Sequence, residues 1–240
     1  MVEPLFIQAG LSNTQPGATV VLIGDEAKHA IAVRRMRVGE AIQLSNGQGL
    51  RVRGTVSSFD KTTLNVLVDE VVTDVRPDLS FVLIQALAKG DRDELAIQSA
   101  TELGISAVIP WQSDRSVSKW EGPKKDKGRQ RWQSIVLEAA KQSLRAFVPE
   151  VSDVRDSKEL AKHFSSFDLV LVLDPSGQSL SELTLPIKGT IALLVGPEGG
   201  ISDAELDAFA KSGATILSLG AGILRTSTAG PALLAALTLR

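Results

Sequence analysis

The segment LLVGPEGGIS, residues 193–202, restricts the fold of this chain more than any other feature. An apolar run typical of a buried strand leads directly into Gly196-Pro197-Glu198-Gly199-Gly200. Three glycines and a proline so close together interrupt regular structure. Ser202 and Glu205 have the spacing of a capping box, and Gly213 is a stop signal, so we expect a helix between them. The segment predicts a strand–loop–helix unit whose loop backbone can approach a ligand closely.

Strands and helices alternate from Ser80 onwards. The predicted strands are FVLIQAL, ISAVIP, FDLVLVLD, TIALLVG and ATILSL, and the predicted helices cover residues 93–103, 127–143, 203–211 and a final run toward Leu239. This alternation is typical of an α/β fold with a parallel sheet that is covered on both faces.

The first 72 residues have a different pattern, with short runs of Val, Ile, Leu and Thr between turn signals. Asn46-Gly47 favours a hairpin, and the runs together indicate a small antiparallel barrel. Residues 25–36 predict one short helix that carries basic side chains. We take residues 74–78 as a linker, which gives a first domain over 1–73 and a second over 74–240.

Composition excludes several kinds of site and location. The chain has no Cys and two His, so disulfides, thiol nucleophiles and Cys–zinc sites are excluded, and we expect no metal. The N-terminus MVEPLFIQAG lacks the features of a signal peptide, and no apolar run approaches the ~20 residues of a membrane span. We therefore expect a cytoplasmic protein with no membrane partner.

Positive charge is concentrated in two segments although the net charge of the chain is −2. Residues 28–61 contain seven basic and two acidic side chains, and residues 115–145 contain nine basic and three acidic ones. Either segment alone is explained by a solvated face. Together they favour a polyanion as partner.

The sequence of the loop at 196–200 does not by itself identify the ligand. A nucleoside triphosphate would require G-K-[ST], which is absent, and a dinucleotide motif would follow the first strand of the fold. A nucleoside held by backbone groups and a tight turn without a ligand remain. A second glycine-rich loop, LGAGILRTSTAG at 219–230, follows the next strand. Loops after parallel strands meet at the carboxyl edge of the sheet, where such sheets bind ligands, so the second loop favours a ligand site.

Several segments together resemble one family. GPEGG with the following I-S-x-x-E, and then LG-x-x-ILRT, are similar to segments of the SPOUT methyltransferases. Further similar segments are HAIAVRRMRVGE at 29–40, Lys89-Gly90-Asp91, QSATELG at 98–104, and EAAKQS at 138–143 with Arg145 and Pro149. In this order over nearly the whole chain, they resemble the type that methylates N3 of a uridine in small-subunit (16S) ribosomal RNA, the RsmE type.

The resemblance implies a C-terminal SPOUT-type parallel sheet with a deep trefoil knot, a rare exception to the rule against threaded chains. It also implies a PUA-like β-barrel at the N-terminus that helps to hold RNA. S-adenosylmethionine would bind in the knot between the partners of a homodimer. The substrate would be 16S rRNA or the small ribosomal subunit, and the target base would be unstacked when it reacts.

The resemblance also implies roles for individual residues. Arg225 would be catalytic by stabilising charge near the uracil or the cofactor carboxylate; the alternative is a structural ion pair with an acid such as Glu198. For Leu173, Leu219 and Ile223, core packing is an equal alternative. The positions similar to cofactor-binding segments are Leu173, Gly196, Glu198, Gly199, Gly200, Leu219, Gly220, Ile223 and Leu224. The arginines expected to contact RNA are Arg34, Arg35, Arg37, Arg92 and Arg145.

Ser227 departs from the family, which commonly has Glu in this position of L-R-T-E-T-A. If that Glu assists proton removal, this chain would use Glu198, Asp203 or water instead. We favour the alternative that the position is a helix N-cap, where Ser serves as well as Glu or better. Pro231 would then lie in the first turn of the last helix, where proline is tolerated.

Two other functions stay open at the level of sequence. One is a non-catalytic RNA-binding or ribosome-assembly factor with a decayed site, which Ser227 and the barrel suggest. The other is a SPOUT methyltransferase that acts on a different RNA nucleotide. The intact glycines of both loops favour an active enzyme, and the N-terminal barrel motif favours the uridine-N3 reaction.

Overall fold

The computed structural model describes residues 3–238 of the chain. The chain forms two compact units. The first extends to Arg76 and includes the later segment Ala140–Val148, and the second contains Pro77–Ala139 and the chain from Pro149 onward. No sequence pattern indicated that residues 140–148 belong to the first unit. The domain limits 1–73 and 74–240 stay a prediction.

The first unit is built on a curled five-stranded sheet in the order β1-β3-β4-β5-β2. Its strands are β1 (Leu5–Ile7), β2 (Thr19–Leu22), β3 (Ala41–Ser45), β4 (Leu50–Phe59) and β5 (Leu64–Thr73). β1 and β3 are parallel, and the other neighbours are antiparallel. The hairpin predicted at Asn46-Gly47 is confirmed, since β3 and β4 pair antiparallel on either side of it.

The predicted helix at 25–36 is only partly correct. The chain forms α1 (Gly24–Lys28), which a π-helical turn, His29–Val33, continues. The helix cannot extend to residue 36, because Arg35 has a left-handed φ of 55° and the Met36 amide donates to the Ala30 carbonyl. Burial of Met36 in the core of the sheet fixes this turn and leaves Arg35 exposed.

The second unit contains a seven-stranded sheet in which every paired strand is parallel, as predicted. The strand order is β12-β10-β11-β6-β7-β8, and β9 also pairs with β7. The strands are β6 (Leu79–Ala86), β7 (Ala107–Gln112), β8 (Glu150–Val151), β9 (Arg155–Asp156), β10 (Leu169–Ser179), β11 (Gly189–Val195) and β12 (Thr215–Ser218). The trefoil knot stays a prediction.

Two helices of the second unit begin or end at signals that the sequence contains. Gly104 adopts a left-handed φ of 99° and terminates the first of them, and the capping box of Ser202 and Glu205 is formed. No helix of the described chain, residues 3–238, combines the length and apolar character needed to cross a membrane. The helices are α2 (Arg92–Leu103), α3 (Lys124–Gln142), α4 (Ser157–His163), α5 (Asp203–Lys211) and α6 (Thr226–Thr238).

The predictions for Ser227 and Pro231 are wrong. α6 begins at Thr226, and the Arg225 carbonyl accepts hydrogen bonds from the amides of Thr228 and Ala229. Ser227 is therefore inside the first turn and is not the N-cap. Pro231 lies beyond that turn, in the buried interior of the helix. The helix starts earlier than predicted because the Thr226 side chain is held by tertiary hydrogen bonds.

Gly54 in β4 allows a close approach that a side chain would prevent. A Cβ there would meet the Leu67 carbonyl oxygen and would lie 2.6 Å from Val66 Cγ1. We predict that Gly54→Ala lowers the free energy of unfolding by about 2 kcal/mol through overpacking. Urea unfolding measures the loss. The control is Gly10→Ala, whose Cβ would have only Gln8 Nε2 nearby, at 3.8 Å, and should leave stability nearly unchanged. Equal stability of the two variants would contradict the packing argument.

Candidate active site

The two glycine-rich loops meet at the carboxyl edge of the parallel sheet. The first, residues 196–202, joins β11 to α5, and the second, residues 219–225, joins β12 to α6. β10 lies between β11 and β12 in the sheet. Because all three strands are parallel, both loops leave the sheet at the same edge, on either side of β10.

A cleft of about 530 Å³ lies between these loops. Leu219 instead lines a smaller neighbouring cavity of about 80 Å³, which shares Leu173, Ile223 and Leu224 with the cleft. Gly220 lines neither cavity and forms the turn after β12, with a φ of 111°. Of the residues predicted from the sequence, the cleft brings together Leu173, Gly196, Glu198, Gly199, Gly200, Ile223, Leu224, Arg225 and Arg92.

The sequence reasoning missed part of the cleft, chiefly a bulge in β10. The pairing of β10 with β12 shifts between Leu173 and Gln178, so residues 174–177 leave the ladder. Asp174 fixes the bulge by accepting hydrogen bonds from the Ser176 amide and hydroxyl at 2.9 and 2.6 Å. The turn signal Asp-Pro-Ser-Gly at 174–177 could have revealed it. The missed residues that line the cleft are Asp174, Pro175, Val195, Pro197, Ile201, Thr226 and Ala229.

Glu198 is fixed within the cleft by the loop after β6 and by the start of α2. Its Oε1 accepts hydrogen bonds from the Lys89 amide at 3.0 Å and from Arg92 Nη1 at 2.8 Å. Burial opposes ionisation of Glu198, but hydrogen bonds from backbone amides and from Arg92 outweigh it and lower the pKa of the carboxyl. Arg92 therefore orients the glycine-rich loop, and its contact with RNA stays a prediction.

Arg115 also holds the first glycine-rich loop, which the sequence did not reveal. Its Nη1 donates to the carbonyl oxygens of Gly199 and Ile201 at 3.1 and 3.2 Å. A Cβ on Gly199 would lie 3.3 Å from Arg115 Cβ, so the glycine permits this close packing. In the sequence, Arg115 is indistinguishable from the other cations of the basic segment.

Glu205 joins the same loop to the chain after β7. Its Oε1 accepts from the Asp114 amide at 2.9 Å and from the Ser157 hydroxyl at 2.6 Å, and its Oε2 accepts from the Ser202 amide at 3.0 Å. Burial opposes ionisation, but these hydrogen bonds outweigh it and lower the pKa of Glu205. The capping box is thus also a tertiary anchor.

Arg225 is placed differently from the other arginine of the cleft. Within residues 3–238, its guanidinium forms no ion pair, and the predicted alternative pair with Glu198 is not made, since Glu198 binds Arg92. Next to it, the Thr226 hydroxyl donates to the Gly196 carbonyl at 2.8 Å and accepts from Gln85 Nε2 at 2.9 Å. The hydrogen bonds of the adjacent Thr226 therefore hold the backbone of Arg225 at the cleft, and its guanidinium stays available to a ligand.

The other arginines predicted to bind RNA lie in the first unit. Arg34, Arg35 and Arg37 are exposed on the turn that follows the π-helical segment, and buried Met36 anchors that turn. Arg145 lies in the segment Ala140–Val148 and is partly buried. Among the described residues, no group of three or more His, Asp or Glu side chains is arranged to hold a metal ion.

Comparison with known proteins agrees with this architecture. Residues 76–238 match the family described as RNA methyltransferase domain, and residues 22–69 match RNA methyltransferase PUA domain. The chain is 40% identical to ribosomal RNA small subunit methyltransferase E of Mycobacterium tuberculosis, with 98% of this chain and 91% of that protein covered. It is 32% identical to the Bacillus subtilis protein of the same name, with 95% and 93% covered.

The chain is also similar to a solved structure of a protein with this name. The ribosomal RNA small subunit methyltransferase E of Neisseria gonorrhoeae, bound to S-adenosyl methionine, superposes with a TM-score of 0.89 at 30% identity. The alignment covers 99% of this chain and 98% of that one. The chain belongs to the ribosomal RNA small subunit methyltransferase E family. It is therefore an RNA methyltransferase with a PUA domain, and the family resemblance found in the sequence is confirmed.

The contact of Arg115 with the loop of this methyltransferase can be tested directly. We predict that Arg115→Ala accelerates amide hydrogen exchange at residues 198–202 by about tenfold, because two charge-assisted hydrogen bonds to the loop are lost. Hydrogen–deuterium exchange with mass spectrometry measures this. Lys119→Ala removes a nearby exposed cation that does not contact the loop and should leave the exchange unchanged. Equal exchange in both variants would show that Arg115 does not restrain the loop.

Asp93 stabilises the segment that carries Lys89 and Arg92. Its Oδ2 accepts from the Ala88 amide at 3.0 Å, and its Oδ1 accepts from the Glu94 amide at 2.9 Å. Burial raises the pKa of Asp93 from 3.8 to about 6. The folded state therefore binds a proton more tightly than the unfolded chain does between these two values.

This shift predicts a pH dependence of stability with a defined sign. Since the unfolded chain loses the Asp93 proton first, the contribution of Asp93 to the free energy of unfolding falls as pH rises from about 4 to about 6. Asp93→Asn lacks this titration. The free energy of unfolding of the wild type minus that of the variant should decrease over that interval and stay constant above about pH 7. Chemical denaturation across pH measures it, and a difference that is independent of pH would contradict the assignment.

Proposed function

We propose that the chain methylates N3 of a uridine in small-subunit (16S) ribosomal RNA and uses S-adenosylmethionine as the methyl donor. The observation that carries the proposal is the convergence of both glycine-rich loops on one cleft that contains an arginine without an ion-pair partner among residues 3–238. Membership in the methyltransferase family supplies the reaction class, and the relatives' names supply the class of RNA.

The residues of the cleft fit S-adenosylmethionine. The volume of about 530 Å³ suits a ligand of that size, and apolar side chains with a few convergent polar groups are typical of cofactor sites. Leu173, Ile223 and Leu224 would pack against the adenosine. Close packing of Gly196 against Ile201 and of Gly199 against Arg115 keeps side chains out of the loop, so its backbone can approach the cofactor.

The charged groups of the cleft would bind the amino acid end of the cofactor. The carboxylates of Asp174 and Glu198 line the cleft and can bind a cation, while the Arg225 guanidinium can bind an anion. When bound, S-adenosylmethionine supplies an electrophilic methyl group on a sulfonium. The protein's own contribution is to position the two reactants and to stabilise charge.

Arg225 is the residue that we assign to the chemistry. Uridine N3 becomes nucleophilic as its proton leaves, and negative charge then spreads to the adjacent carbonyl oxygens. A guanidinium at the cleft can stabilise this charge, an effect that typically contributes ~10²–10³-fold in rate. Glu198 is a weak base, because hydrogen bonds lower its pKa. A water molecule at the cleft is therefore the better acceptor for the N3 proton.

The first unit would bind the RNA backbone. Arg34, Arg35 and Arg37 are exposed, and they form no side-chain ion pair with any residue in 3–238, so all three can contact phosphates. We also propose a cytoplasmic homodimer. In support of a dimer, Ile223 is 84% exposed beside the cleft, and Leu95 and Leu103 are exposed on α2, so a second copy could bury apolar surface there.

The proposal predicts the loss of one modified nucleoside. In cells that lack the gene, 3-methyluridine should disappear from small-subunit RNA and return when the wild-type chain is supplied. Arg225→Ala should fail to restore it, because the charge on the uracil would not be stabilised. Arg129→Ala removes a partly buried arginine of the same unit, which pairs with Asp153 outside the cleft, and should restore it fully. Nucleoside mass spectrometry measures all four samples.

Each outcome of this experiment has a distinct meaning. If another methylated nucleoside disappears instead, the assignment of uridine N3 is wrong. If no methylated nucleoside changes, the chain does not act on this RNA in cells. Full restoration by Arg225→Ala would exclude an essential role for Arg225.

A further inference from the structure

The basic residues of the segment 115–145 are not equivalent in the structure. Arg115 donates to backbone carbonyls, as described above. Arg129 pairs with Asp153 at 3.3 Å, Arg131 pairs with Glu94, and Lys141 pairs with Glu26 at 2.7 Å. The positive charge of these side chains is therefore largely compensated within the protein, although the sequence presents them as one basic run.

Four lysines of this run remain without such partners. Their side chains are exposed, and their ammonium groups form no ion pair or hydrogen bond with any residue in 3–238. They lie within residues 119–127, where Glu121 and Asp126 are the acidic residues. We call these four residues the lysine surface: Lys119, Lys124, Lys125 and Lys127.

Three of these lysines occupy an electrostatically unfavourable position. Three of them occupy the first turn of α3, where the helix macrodipole favours anions and disfavours cations. Lys124 and Lys127 are also three residues apart on the helix, at a spacing that brings like charges together. Asp126 compensates only part of this charge. A bound polyanion would remove the repulsion and interact favourably with the same helix end.

The lysine surface is connected to the candidate active site through short contacts. The Ser118 hydroxyl donates to the Ala88 carbonyl at 2.7 Å, and the next residue, Lys89, donates its amide to Glu198 in the cleft. Lys119 therefore comes directly after Ser118, which is hydrogen-bonded to the segment that borders the cleft.

Trp120 makes this part of the chain rigid. Its amide donates to Gln112 Oε1 at 2.8 Å, and its ring packs against Trp132 with centroids 5.0 Å apart. Gly128 lies so close beneath the ring that a Cβ there would clash with it. The lysines on either side of Trp120 are thus presented on an ordered support, which reduces the entropy that is lost when a ligand binds.

We infer that the lysine surface binds phosphate groups of the substrate RNA next to the target nucleotide. The inference rests on the proposed function and adds a second RNA-binding surface, within the methyltransferase domain itself. Lysine ammonium groups act as point charges without base specificity, so the contacts hold the RNA backbone while the cleft receives the base. Binding at this surface is therefore independent of sequence and sensitive to salt.

The test compares two quadruple variants that lose the same charge. The first carries Lys119→Gln, Lys124→Gln, Lys125→Gln and Lys127→Gln. The control carries Lys158→Gln, Lys162→Gln, Lys188→Gln and Lys211→Gln, which are exposed lysines elsewhere in the same unit. Fluorescence anisotropy gives the Kd of each protein for a small-subunit ribosomal RNA fragment over a series of KCl concentrations. Calorimetry with S-adenosylmethionine checks that the cleft is intact.

We expect the first variant to lose about three units in the slope of log K against log salt, since each phosphate contact on single-stranded RNA contributes ~0.7. Its affinity at 0.1 M KCl should fall on the order of 1,000-fold, because the lost slope acts over the tenfold range of salt between 0.1 M and 1 M. The control should keep the wild-type slope, and both should bind S-adenosylmethionine like the wild type.

Two results would overturn the inference. One is an unchanged slope in the first variant, and the other is an equal loss in the control, which would show a general effect of net charge. If the wild type binds neither RNA nor S-adenosylmethionine, the proposed function fails as well. A wild type that binds both, together with an unaffected first variant, refutes only the role of the lysine surface.

Discussion

The hydrogen bonds of the Thr226 hydroxyl join the parts of the second unit on which the site depends. They connect the carbonyl of Gly196, at the end of β11, with the side chain of Gln85 on β6, and Thr226 itself begins α6. Thr226 is 6% exposed, so these bonds form in a low dielectric, where leaving either partner unsatisfied is costly. This one residue thereby fixes the distance between the two glycine-rich loops.

The cleft is rigid because the first of these loops is held from several sides. Arg92 binds it from the start of α2, Arg115 binds it from the loop after β7, and Glu205 anchors the helix that follows it. Through these contacts, the two cations and the two carboxylates all have partners within the protein. They are Arg92, Arg115, Glu198 and Glu205. Arg225 keeps its charge available for ligands, and this difference between the arginines of one site is the main electrostatic feature of the enzyme. Preorganised charge of this kind is effective because no further rearrangement is needed when the reactants bind.

The sequence predicted those features that depend on local signals. Glycines, a capping box and apolar runs define the strand–loop–helix units, and the parallel alternation places both loops at one edge, so most residues of the cleft were predicted. The role of Arg115 was not predictable, because it contacts a carbonyl 84 residues away and resembles its neighbours in the basic run. The turn signal at 174–177 could have revealed the bulge in β10, but the early start of α6 at Thr226 depends on hydrogen bonds to Gln85 and Gly196, which are distant in the sequence. Local propensity gives no information about such contacts.

The folded structure also divides the cations of the second basic segment into two groups. In the sequence, residues 115–145 form one basic segment, but the structure separates cations that stabilise the fold from lysines that face solvent. Charge patterns along a chain thus indicate a polyanion partner without identifying the residues that bind it. Only the ion pairs and hydrogen bonds of the folded chain make that distinction.

The central claim is that both glycine-rich loops form one cofactor site next to Arg225. A crystal structure of the protein with S-adenosylhomocysteine tests it most directly. We predict ligand density in the cleft between residues 196–200 and residues 223–225, with the sulfur on the side of Arg225. Density at another place in the protein, with the cleft left open to solvent, would contradict it.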